Sequence, residues 1–157
     1  MVPDSSEDCE QQQLHEARKC TERLINTRDR SETELRQRLL KKGFDPAVVE
    51  REVASAVAAG LIDDERFMRL YIQGKKNRYW GQRRIESELR RFGIDLKLHE
   101  GYPERFFTEE DELTRAQACL ARFHTNAKDP WVASYRHLVS KGFELQVAQR
   151  TLKKLTI

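Results

Sequence analysis

The chain has 157 residues, 35% of them charged, with 29 Lys and Arg against 26 Asp and Glu and a formal net charge of +3. A mean hydropathy of −0.79 implies a thin core under a very polar surface, which points to a narrow helical array rather than a globule, and no apolar run approaches membrane-spanning length. Cys9, Cys20 and Cys119 are odd in number and have no CxxC spacing, which argues against a disulfide framework or zinc site and for reduced thiols in a cytoplasm.

In chain order the elements read as helices throughout. Met1 to Glu10 is acidic and lacks the apolar core of a signal peptide, and a first helix is expected from about Glu7 to Thr27. Ser31-Glu32-Thr33-Glu34 is a capping box, in which the Ser hydroxyl accepts a backbone N–H and the Glu reaches back. It opens a helix with Leu35, Leu39 and Leu40 on one face. Asp45-Pro46 supplies an N-cap and a proline at the first helical position, followed by Val48, Val49, Val53 and Val57 and a stop at Gly60. Asp63 or Asp64 caps the next helix, with Phe67, Leu70 and Tyr71 at helical spacing and Gly74 weakening but not ending it. Trp80-Gly81 is a joint. Ile85, Leu89 and Phe92 share the following face.

Residues 96–107 should repeat the helix at 46–59, but Gly101-Tyr102-Pro103 interrupts them, because a proline inside a helix removes a hydrogen bond and clashes with the preceding turn. Two short turns or a kink are expected there. Thr108 to Asp111 resembles another capping box, opening a helix through Leu113, Ala116, Leu120 and Phe123. Asp129-Pro130 repeats the cap-plus-proline device before Trp131, Tyr135 and Leu138. The last helix starts near Glu144 and carries Val147, Ala148, Leu152 and Leu155. Nine helices result, with no alternating strand pattern.

One short pattern organises these helices. Leu39-Leu40-Lys41-Lys42-Gly43-Phe44 returns as Leu89-Arg90-Arg91-Phe92-Gly93-Ile94 and as Leu138-Val139-Ser140-Lys141-Gly142-Phe143. Each copy reads as a helix end, with a glycine for the left-handed residue, basic residues at the negative end of the dipole and an apolar residue folding back. Leu39, Leu89 and Leu138 before the glycine, with Val48, Leu98 and Val147 after it, should form one core pair per module. Near-constant spacing of this size is the signature of a repeat architecture. The expected fold is therefore all-α, an elongated tandem array of three three-helix repeats over 11–60, 61–108 and 109–157, preceded by a flexible N-terminus over 1–10.

Nothing reads as catalytic. His15, His99, His124 and His137 are scattered without metal-ligand spacing, no phosphate loop, GxGxxG or GxSxG is present, and no cofactor is expected. Charge is unevenly spread. Lys75 to Arg91 holds seven basic and two acidic residues, and Asp95 to Glu112 holds seven acidic and two basic. The first suggests a face for a polyanion; the second is either a face for a basic partner or a solvated helix face. Glu109 to Glu112 read as first-turn carboxylates complementing the helix dipole. Within Lys75-Lys76-Asn77-Arg78-Tyr79-Trp80-Gly81-Gln82-Arg83-Arg84, basic residues interleave with aromatics, as suits phosphates and unstacked bases. Tyr79 or Trp80 alternatively plugs the seam between two modules. Lys75, Lys76, Arg78, Tyr79, Trp80, Arg83, Arg84, Arg90 and Arg91 are the contact candidates.

These residues also carry a family resemblance. Leu61-Ile62-Asp63-Asp64-Glu65-Arg66-Phe67, then Trp80-Gly81-Gln82-Arg83-Arg84-Ile85 with Leu89 and Gly93-Ile94, resemble the signature of the RecX family, bacterial regulators of the RecA recombinase. Ser31-Glu32-Thr33-Glu34-Leu35 matches the family's early Ser-x-x-Glu-Leu motif and Lys141-Gly142-Phe143 its late Lys-Gly-Phe motif. The resemblance spans about residues 10 to 155. Gly101-Tyr102-Pro103 departs from the pattern, as does Ser134 where the other copies have Leu35 and Ile85. The resemblance implies a non-enzymatic protein of tandem three-helix repeats that binds RecA filaments on single-stranded DNA, limits filament extension, ATP hydrolysis and strand exchange, and tempers the SOS response; a cytoplasmic monomer is expected. The alternative is a protein acting directly on single- or double-stranded DNA through the basic joint. No helix offers an obvious set of base-reading side chains on one face.

Overall fold

The computed structural model describes residues 5–155. Among them are eight α-helices and one 3-10 helix and no strand: α1 Ser5–Thr27, α2 Glu32–Lys41, α3 Pro46–Ala58, α4 Asp64–Lys76, α5 Gln82–Arg91, the 3-10 helix Leu96–Leu98, α6 Glu109–Ala121, α7 Pro130–Ser140 and α8 Leu145–Leu155. The all-helical expectation holds, and the expected ninth helix is the 3-10 turn. Helix α1 begins at Ser5, inside the segment expected to be a flexible N-terminus; residues 1–4 lie outside the described residues.

The caps are where the sequence puts them. Ser31 accepts the Glu34 N–H at 3.1 Å, Asp45 that of Ala47 at 2.9 Å, Asp63 that of Arg66 at 3.1 Å, Thr108 that of Asp111 at 3.1 Å and Asp129 that of Val132 at 3.1 Å. Each satisfies one of the orphan donors of a first turn. The Glu34 carboxylate is held by Arg28 and Arg30, and Asp64 accepts the Glu32 N–H at 2.8 Å, a second carboxylate at the start of α2.

The repeated helix end is one conformation used three times. Gly43, Gly93 and Gly142 have φ of +92°, +77° and +94°. The residue after each glycine donates to the carbonyl of the core leucine, Phe44 to Leu39, Ile94 to Leu89 and Phe143 to Leu138. Each glycine donates to the next carbonyl, of Leu40, Arg90 and Val139 respectively. This is the Schellman arrangement, which needs a left-handed residue at the glycine. Leu39, Leu89 and Leu138 are fully buried.

The chain divides into two compact units, residues 1–68 and 69–157. In the first, α1 and α2 both pack on α3 around Leu35, Leu39, Val49, Val53 and Ala56. In the second, α8 packs on α6 and α7 around Ala116, Leu138, Phe143 and Ala148.

Several apolar expectations are corrected. Leu98 is 84% exposed and Leu96 is buried instead. Asp95 caps a single 3-10 turn by accepting the Lys97 N–H at 3.1 Å, and with three residues per turn, positions two apart fall on different faces, about 120° apart. On α4 the buried side chains are Phe67, Met68 and Ile72, with Leu70 outside; Val57 and Leu155 are also exposed. The segment 99–107 is a run of turns with a cis Tyr102–Pro103 peptide.

Candidate functional site

The basic joint lies in the second unit, where α4 ends at Lys76 and α5 begins at Gln82. Tyr79 adopts φ +61°, unusual for an aromatic residue, and this turns consecutive side chains apart. Tyr79 packs on the core of Ala116, Leu138 and Phe143, with the Arg122 guanidinium 4.9 Å from its ring centroid. The tyrosine is thus the plug, and it seals the α6–α8 module.

Trp80 remains half-buried beside cations. The Lys75 Nζ lies 4.4 Å and the Arg84 Cζ 3.7 Å from its ring centroid, both within cation–π range. Lys75 is also 5.2 Å from the Tyr71 ring centroid. Its pKa is held below the ordinary lysine value, first by burial and then by the Arg78 charge, with Arg84 adding and Glu88 opposing. Cationic charge at this corner is concentrated rather than cancelled.

Lys76 is the candidate that the structure removes from the exposed set. Its ammonium donates to the Phe106 carbonyl and to Asp111 Oδ2 at 2.9 Å and lies 5.0 Å from the Phe107 ring centroid. It is a brace, because a carboxylate 35 positions later in the chain draws it inward.

Arg83 and Arg90 are exposed on one stripe of α5, seven positions apart. Arg84 and Arg91 form the adjacent stripe, Arg84 half-buried against Trp80 and Arg91 exposed with Glu88 at 3.5 Å. Ile85, Glu86 and Leu89 face inward. Arg78 is exposed in the joint. The structure thus brings Lys75, Arg78, Trp80 and Arg84 together at one corner and continues the charge along α5.

A buried network holds this corner, and its members were not among the sequence candidates. Arg115, 6% exposed, donates from Nε to the Trp80 carbonyl at 2.7 Å and from Nη1 to Asp111 at 2.8 Å, and pairs with Glu112. Glu112 accepts the Gln82 N–H at 3.0 Å, so it caps α5. Burial works against the Asp111 carboxylate, but the Lys76 and Arg115 hydrogen bonds outweigh it and hold its pKa below the usual value. Two of the four acidic residues of the first turn of α6 are therefore consumed internally, beyond complementing the dipole.

The third helix end completes the support. Gly81 donates to the Lys141 carbonyl at 2.8 Å and Arg83 to the Gly142 carbonyl at 2.9 Å. These approaches are close enough that a methyl on Gly81 would fall against the Phe143 amide nitrogen and the Gly142 carbonyl, and a methyl on Gly142 would overlap Arg84. The Lys-Gly-Phe motif at 141–143 therefore terminates α7 and also fixes the start of α5. No local pattern in the sequence reveals this, because the two glycines lie 61 positions apart and are not equivalent positions of the repeat.

Among the described residues no group of His, Cys, Asp and Glu could hold a metal ion, and no helix is long and apolar enough to cross a membrane.

Residues 17–54 match the family model of the RecX first three-helix domain, and residues 63–98 that of the RecX second three-helix domain. The regulatory protein RecX of Serratia proteamaculans is 34% identical over 98 residues, covering 48% of this chain and 58% of that protein. That of Caldanaerobacter subterraneus is 22% identical over 137 residues, covering 87% and 69%. The match thus spans less than two thirds of the Serratia protein. The crystal structure of RecX from Lactobacillus salivarius aligns with a TM-score of 0.76 at 15% identity, over 92% of this chain and 97% of that one. At that identity it is the fold that is alike.

Proposed function

The chain belongs to the RecX family, and on that premise we propose that it is a binding regulator, not an enzyme, that engages RecA filaments on single-stranded DNA and limits their extension, ATP hydrolysis and strand exchange. The observation that carries this reading is the exposed basic face of α5 and the joint, with Arg83 and Arg90 on one stripe, Arg84 and Arg91 on the next, and Lys75 and Arg78 at its head. The buried Arg115–Glu112 pair and the Gly81–Gly142 approach hold that face. A fixed array of cations suits a polyanion, because bound condensed counterions are released on contact and no side chain need be reorganised. The filament offers such a partner in its DNA and in acidic protein surface.

The repeat modules are assigned to 11–60, 61–108 and 109–157, each with its second helix ended by one of the three Schellman glycines, and the third element of the middle module is a 3-10 turn. The protein is on this reading a cytoplasmic monomer acting in recombinational repair and the SOS response. The second reading, direct action on DNA, has the cation-bearing Trp80 in its favour. A gel shift of labelled single-stranded DNA, run with and without RecA, separates them. The filament reading expects a supershift of RecA–DNA at protein concentrations that leave bare DNA mostly free. Equal retention of bare and RecA-coated DNA favours direct DNA binding.

A further inference from the structure

We infer that Trp80 is a positioning residue: its indole holds the Lys75 ammonium and the Arg84 guanidinium as a phosphate-binding pair for a single-stranded nucleic-acid backbone and does not itself stack on bases. The inference rests on the joint being the contact face proposed above, and it names the chemistry that face reads.

Aromatic side chains among basic residues ordinarily suggest stacking platforms. Here the ring is already engaged. A guanidinium carbon 3.7 Å from the centroid is at van der Waals contact, and an ammonium lies 4.4 Å from the same centroid. A base stacking where these cations lie would have to displace them and forfeit their cation–π contacts. The backbone around the ring is fixed. The Trp80 carbonyl is taken by Arg115, its N–H donates to the Lys75 carbonyl at 3.1 Å and the Gly81 N–H to Lys141. Gly142 packs against the Arg84 Cβ and backbone, so the guanidinium leaves a fixed root.

The charges held there await an anion. Burial and the neighbouring Arg78 and Arg84 disfavour the Lys75 charge, and the carboxylate that favours it, Glu88, also pairs with Arg91. A phosphate oxygen would relieve that repulsion. The N-terminal amides of α5 do not compete for it, since Gln82 donates to Glu112 and Arg83 to Gly142. Backbone contact without base contact makes the site indifferent to sequence, as a protein tracking arbitrary DNA requires.

The test uses the full chain without RecA and two labelled strands of equal length, oligo-dT and a base-free phosphodiester strand, followed by anisotropy across salt. The wild type is expected to bind both, and the ratio of the two affinities should be unchanged in Trp80→Leu. That variant, like Lys75→Gln/Arg84→Gln, should lose about 1.4 from the salt slope, at about 0.7 per single-strand phosphate contact. Trp80→Phe should retain the slope, because it keeps a ring for the cations. Adding Trp80→Leu to the Lys75→Gln/Arg84→Gln protein should change nothing further. A preference for oligo-dT of about fivefold or more that disappears in Trp80→Leu identifies a stacked base and overturns the inference, as does additivity of the triple variant. A measurement that leaves Trp80 intact guards against misfolding of the variants. In Trp131→Phe, Trp80 is the remaining tryptophan, and its fluorescence should respond equally to both strands, whereas quenching by oligo-dT alone overturns the inference. Absence of binding to either strand, in a preparation that still slows RecA ATP hydrolysis, also overturns it while leaving the filament reading intact.

Discussion

Gly43 and Gly142 form a natural controlled pair for separating backbone strain from packing. Both sit at the same place in a Schellman end, with φ of +92° and +94°. A methyl on Gly43 meets nothing within 4 Å, whereas one on Gly142 overlaps the Arg84 Cβ and lies 2.6 Å from the Arg84 backbone nitrogen. Gly43→Ala should therefore show the left-handed strain alone, about 1–2 kcal/mol. Gly142→Ala adds the displacement of the Arg84 backbone, next to the Arg83 amide that is bonded to the Gly142 carbonyl, and overpacking of this kind costs about 1–3 kcal/mol more. The predicted total for Gly142→Ala is about 2–5 kcal/mol. Urea unfolding followed by far-UV circular dichroism measures both. Equal losses in the two variants would refute the close approach of the third helix end to the start of α5, and with it the account of how the basic corner is held. The same comparison has a functional arm. Gly142→Ala should weaken binding through the joint, and Gly43→Ala should not.

Leu39→Ala and Leu89→Ala should each destabilise by about 2–4 kcal/mol, since both are fully buried, while Leu98→Ala should stay within about 0.5 kcal/mol; a urea midpoint for Leu98→Ala shifted as far as that for Leu89→Ala would restore Leu98 to the core. His137 stacks on Phe123 with centroids 4.1 Å apart and lies 3.6 Å from the Cys119 sulfur, and its pKa is lowered, first by burial and then by the Lys141 charge. The fold therefore favours the neutral ring, so its contribution is present above the unfolded value of about 6.5 and is lost as pH falls through the lower folded value. Thermal melts across pH 5 to 8 should show less acid-side destabilisation in His137→Gln than in the parent protein; identical acid limbs would assign that limb to other groups.

Local signals were legible in the sequence and non-local ones were not. Ser31, Asp45, Thr108 and Asp129 reveal themselves as caps because the donor each serves lies two or three residues away. The three glycine ends are legible for the same reason and are reinforced by their spacing. The sign of the charge at Lys76 is legible, but its direction is not, because Asp111 and the Phe106 carbonyl reach it from 35 and 30 residues away. The acidic residues of α6 look like dipole complements until Arg115 and the Gln82 amide are seen beside them. Leu98 fails because the repeat alignment assumes a helix of 3.6 residues per turn where the chain makes one 3-10 turn. Tyr79 and Trp80 were interchangeable in the sequence, and a left-handed backbone at Tyr79 sends them apart.

The proposal that the basic face of α5 and its joint engages the RecA filament has one decisive assay. That assay is RecA ATP hydrolysis on single-stranded DNA, titrated with this protein and with Arg83→Glu/Arg90→Glu. Both arginines are exposed, so the variant should keep its stability within about 0.5 kcal/mol. Substoichiometric wild-type protein should slow hydrolysis, and the variant, verified as folded, should do so far less. Hydrolysis unchanged at equimolar wild-type protein, or slowed equally by both proteins at low salt, would contradict it.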